Sequence, residues 1–94
     1  MNKSKLYAQN QVTKSELAVL ECLKVHHEGR SESPAIAEVT DLSTNTGIRD
    51  KDEILRALYT LEGKRFVSPF PAGDLTSQTW HITDHGVKAL GMLD

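Results

Sequence analysis

The chain has a single cysteine, no long apolar run, and no lysine or arginine between Phe66 and Thr83. Each shortage excludes something. Cys22 has no partner within its own chain, so an internal disulfide cannot form and a reducing, cytoplasmic compartment is expected. No segment approaches the ~18–20 apolar residues that cross a bilayer, so no membrane partner is expected. The opening "MNKSKLYAQNQ" carries lysines without an apolar stretch behind them, which argues against a secretory signal. Catalytic signatures are missing too: there is no G-x-S-x-G, no phosphate-binding loop and no carboxylate pair of telling spacing. Cys22 lies one helical turn before His26, and His81 lies four residues before His85 across a strand-to-helix junction. Neither arrangement comes with a C-x2-C or H-E-x2-H pattern. The expectation is a protein that is not an enzyme and holds no metal or cofactor.

What is present fits one small domain of 94 residues. With 38% apolar and 26% charged residues, the composition is that of a folded chain rather than a disordered one. The 11 basic and 13 acidic residues give a net charge of −2, an unfavourable balance for a polyanion partner. Distribution matters more than the sum. Residues 1–15 hold Lys3, Lys5 and Lys14 and no acid, whereas residues 66–83 hold Asp74 as their one charged acid and no Lys or Arg.

Residues 1–12 lack periodicity and are expected to form a flexible basic tail, with the folded domain spanning 13–94. Thr13 and Glu16 have the spacing of a capping box. Val19, Leu20 and Leu23 then mark one face of a first helix, for which Gly29 would supply a left-handed stop. Ser33 as cap and Pro34 at the first position predict a second helix through Leu42, burying Ile36, Val39 and Leu42. "STNTGIR" (43–49) has turn composition. Asp50 and Glu53 form a second cap-like pair, and Ile54, Leu55, Leu58 and Leu61 predict a third helix ending near Gly63. "FVS" and "TWHIT" predict two strands around a loop that Pro69 and Pro71 punctuate. Thr83 would cap a short last helix carrying Val87, Leu90 and Leu93.

Three helices, a hairpin and a last helix follow the order of a winged helix-turn-helix domain, an α+β fold with a three-helix core and a two-stranded wing. Leu61-Glu62-Gly63-Lys64-Arg65-Phe66-Val67 resembles the "LE.KG.V" junction between recognition helix and wing in regulators of the MarR and PadR type. "WHITDHGVKAL" (80–90) is similar to their "LT.KG...L" segment, where the wing enters the following helix. The resemblance covers residues 13–93. It departs in two places: the family's glycine before the wing falls at Arg65, and the link between the second and third helices is longer than the usual tight turn.

The resemblance implies a small transcriptional regulator that reads double-stranded DNA with its third helix, about 50–63, and the flanking wing. With the apolar stripe buried, the outward candidates are Arg49, Lys51, Arg56, Tyr59 and Thr60; Arg and Lys donate to guanine edges or phosphates, and Tyr and Thr to phosphates. Asp50, Asp52 and Glu53 suit the helix dipole but repel phosphate. The same face also reads as plain solvated surface with an Asp52–Arg56 pair. Thr76, Ser77 and Gln78 offer the wing neutral phosphate bonds, and Lys3 and Lys5 an arm along the duplex. Phe70 and Leu75 near the tip suit a protein partner instead. Trp80 is expected in the core, packing hairpin against helix. Two functions therefore stand side by side: a DNA-binding regulator, and a winged-helix module for protein recognition in transcription or replication machinery. No long flanking helix supplies a large two-fold interface, so a monomer or weak homodimer through the first or last helix is expected.

Overall fold

The computed structural model describes residues 12–29 and 35–93. Thr13 opens the first helix with the expected reciprocal cap: its hydroxyl accepts from the Glu16 amide (3.1 Å), and the Glu16 carboxylate accepts from the Thr13 amide (3.2 Å). This helix, α1 (Lys14–Glu28), buries Val19, Leu20 and Leu23. Gly29 ends it without a left-handed turn, at φ −86°, its amide bonded to carbonyls of the last turn. Val12, assigned to the tail by sequence, is buried.

The second helix differs from expectation. Residues 35–36 are not helical, and β1 (Ala37–Glu38) pairs antiparallel with a later strand. Helix α2 (Val39–Thr46) begins directly after it. Ile36, expected in the helix, precedes it and is half-buried, while Val39 and Leu42 are buried as expected. Ser43–Thr46, expected as turn, are helical. Their hydroxyls explain why such poor helix formers are tolerated: Thr44 and Thr46 donate back to the carbonyls of Thr40 and Leu42, and Ser43 donates to Ile48. The left-handed residue falls at Gly47 (φ 78°), so the link to the next helix shortens to residues 47–50 and the anticipated extra length disappears. The proposed Ser33–Pro34 cap lies outside the described residues.

Helix α3 (Lys51–Gly63) buries Ile54, Ala57, Leu58 and Leu61 against α1 and α2. β2 (Val67–Pro69) and β3 (Thr79–Ile82) form the hairpin, with Val67 opposite Ile82 and Pro69 opposite Trp80. The sheet has three strands rather than two, in the order β1-β3-β2. Pro69 is accommodated because β2 is an edge strand. Trp80 is fully buried, its indole N–H donating to the Ser77 carbonyl at 3.0 Å, and its ring meets Tyr59 of α3 at 6.1 Å between centroids.

Thr83 joins the wing to the last helix, α4 (Asp84–Leu93). Its hydroxyl donates to the Arg65 carbonyl (2.7 Å) and accepts from the Gly86 amide (3.0 Å), capping α4 and tying it to the α3–β2 junction. At that junction Arg65 adopts φ 66°, a left-handed conformation that ordinarily favours glycine. The result is a helical core with a small antiparallel sheet, an α+β, winged-helix-like arrangement. No helix among the described residues is long and apolar enough to cross a membrane.

Candidate nucleic-acid interface

The period that buries one side of α3 pushes the other outward. Lys51, Asp52, Arg56, Tyr59 and Thr60 are all exposed on it, and Arg49 is exposed in the turn before it. Asp50 caps the helix, its carboxylate accepting from the Asp52 amide at 2.9 Å. Glu53 does not complete a box there. It reaches α1 instead, where it accepts a hydrogen bond from the Ser15 hydroxyl. One of the three acids at this helix start is thereby drawn away from the outward side.

The side chains of Arg49, Lys51 and Arg56 have no hydrogen-bond or ion-pair partner among the described residues, and the Asp52–Arg56 pair is not formed. Arg56 and Thr60 share a shallow depression of about 290 Å³ with Thr13, Ser15, Glu16 and Glu53, at the start of α1. The α3 surface thus combines three uncommitted cations with acids at its start and along one flank. Tyr59 keeps 42% of its surface exposed while one side of its ring lies near Trp80.

The wing tip is held by its own hydroxyls. Asp74 accepts from both the amide and the hydroxyl of Thr76 (3.0 and 2.6 Å), and Ser77 donates to the Phe70 carbonyl at 2.6 Å. Thr79 bonds the same carbonyl. The hydroxyl protons of Thr76 and Ser77 are therefore spent within the loop, leaving the exposed Gln78 side chain as the neutral donor of the three. Phe70 and Leu75 are each 46% exposed. Lys3 and Lys5 lie outside the described residues.

Two further features escaped sequence reasoning. The exposed Arg65 stands at the end of α3 away from Lys51, and its only signal is that it replaces the glycine of the resembled motif. The Ser15–Glu53 contact joins residues 38 apart and has no local signal.

The histidines and the cysteine are not gathered. His26 Nε2 lies 2.7 Å from the Ile36 carbonyl, and the His85 ring lies against Phe66 at 5.2 Å. Burial pushes the Cys22 thiol above its usual range, against a hydrogen bond from Asn45 that lowers it and with the Asp41 charge that raises it. Among the described residues no group of three or more His, Cys, Asp or Glu side chains could hold a metal ion. A scan against protein-family models finds no match for the chain, and searches of curated proteins and of solved structures find none either.

Proposed function

We propose that the protein is a winged helix-turn-helix DNA-binding module, a small transcriptional regulator of the MarR or PadR type. In this proposal α2, the Gly47 turn and α3 form the helix-turn-helix, and α3 enters the major groove. The observation that carries it is the set of Arg49, Lys51 and Arg56, exposed around α3 and committed to no partner among the described residues. Unpaired guanidinium and ammonium groups keep their full donor capacity for guanine edges and phosphates. Tyr59 and Thr60 extend that surface toward the helix end, and Gln78 serves as the neutral wing contact. Lys3 and Lys5 of the basic tail, residues 1–12, would follow the backbone beside the domain at 13–94.

A second reading, a winged-helix module for protein recognition, draws on the wing. Its tip exposes Phe70 and Leu75 and carries Asp74 where a phosphate-binding wing carries a cation.

A salt series of binding to random duplex DNA separates the two. The DNA proposal expects log K to fall steeply with log salt, and Arg56→Ala or Lys51→Ala to weaken binding by about 1–3 kcal/mol where they touch base edges. Absence of duplex binding by the folded protein at ~50 mM salt would leave the protein-recognition reading in place.

A further inference from the structure

Among the described residues no element packs over the side of α1 turned away from α3. Ala18, Glu21 and Val25 recur along it at helical spacing, and Val25, in the last turn, is 68% exposed. Grooves run on both sides of this ridge. One of about 500 Å³ lies toward α2, lined by Ala18, Cys22 and Asn45; another of about 340 Å³ lies toward α4, lined by Lys24 and Leu90. A ridge flanked by grooves is the shape that a second helix packs against.

The charges at the two ends say which helix. Lys14 occupies the first position of α1 and Glu28 the last. Both oppose the helix dipole, which favours acids at the start and bases at the end. Among the described residues Glu28 has only a loose contact with Lys24, at 3.9 Å with the carboxylate side largely exposed. An antiparallel copy of the same helix reverses the situation, because each misplaced charge then faces its opposite.

We propose that a second copy of this chain covers this surface, in an antiparallel α1–α1 pair. With the two-fold axis between Glu21 and Cys22, Val25 of each copy stands over Ala18 of the other, large on small. Lys14 then lies beside Glu28 of the second copy at both ends of the contact. The two Glu21 side chains meet near the axis, which weakens the pair. One helix per chain covers less than the ~800 Å² per partner of a standard interface. The dimer is accordingly weak, with a dissociation constant of roughly 10–1000 µM. It leaves the outward side of α3 open and holds whether or not duplex DNA is bound.

Sedimentation velocity across that concentration range tests it. A shift from monomer toward dimer is expected, tightened several-fold by Glu21→Gln. Val25→Asp should hold the monomer throughout with the thermal melt lowered only slightly, since its side chain is exposed and the new acid opposes the helix dipole in the last turn. Lys14→Glu and Glu28→Lys should each weaken association, and the double variant should restore it. Should Val25→Asp disturb the fold, Glu21→Cys in a Cys22→Ala background gives the second measure: mild oxidation should cross-link it as the dimer, and Lys24→Cys should stay uncross-linked. A monomer at every concentration, a dimer indifferent to Val25→Asp, or a charge swap that fails to restore association would overturn the proposal.

Discussion

Arg65 holds a backbone conformation that costs an L-residue about 1–2 kcal/mol. The surroundings fix it there: its amide donates to the Glu62 carbonyl at 2.9 Å, and its own carbonyl accepts from Thr83. Replacement by glycine removes the steric cost and adds a smaller entropic one. Arg65→Gly should therefore stabilise the fold by about 0.5–1 kcal/mol, read as a higher urea midpoint at unchanged slope. Gly86 is the opposite case. A Cβ there would lie 2.2 Å from the Phe66 carbonyl oxygen and 2.8 Å from the Ile82 side chain. The first of these is backbone and cannot swing aside, so Gly86→Ala should cost about 1–3 kcal/mol or more, measured in the same melts. The glycine in the "LT.KG" pattern thus has a physical reason, the close passage of α4 over the start of β2. The glycine missing from the "LE.KG.V" pattern has a physical consequence, an arginine held left-handed.

Among the elements, α3 and the wing were legible because their signals are long or sharp. Ile54, Leu58 and Leu61 repeat over most of α3, and the Pro and Gly residues between Pro69 and Gly73 can hardly be read as anything but a hairpin tip. β1 was not legible. Ala35-Ile36-Ala37-Glu38-Val39 does alternate in burial, but two paired residues are too few to outweigh the helical spacing of Ile36, Val39 and Leu42. What decides the matter is Trp80 and Thr79, some forty residues away, which offer Ala37 and Glu38 a ladder. The candidate site was half legible for the same reason. Periodicity alone put Arg56, Tyr59 and Thr60 on the outward side of α3. It could not tell that Thr76 and Ser77 spend their hydroxyl protons inside the wing loop, or that Glu53 turns toward Ser15, because those partners are set by the fold.

At the scale of the molecule, the small negative net charge is spread over surfaces of different character. The outward side of α3 gathers cations uncommitted among the described residues, the wing tip is polar with two exposed apolar side chains and one acid, and the outer side of α1 carries one cation and one anion at opposite ends. Core packing holds these surfaces in their relative positions, and one seam joins helix and sheet directly. β1 runs into α2 with no intervening residue, and the Val39 amide, the first of the helix, donates to the Gln78 carbonyl beside β3 at 2.8 Å.

That seam leaves the chain no slack, so α2 is geared to the sheet like a screw started in its thread. One residue inserted between Glu38 and Val39 would advance the helix by about 100°. Val39 and Leu42 would turn out of the core, at a cost of about 3–6 kcal/mol for two buried aliphatic side chains. The alternative is for β1 to slip by one, which sends Ala37 to the wrong side of the sheet. The same insertion between Ala72 and Gly73, on the exposed tip, should cost under about 1 kcal/mol. Paired urea melts of the two insertions would measure the difference. Because α3 follows α2 after only four residues, a change of phase at residue 38 would also re-aim Arg49, Lys51 and Arg56 without altering any of them.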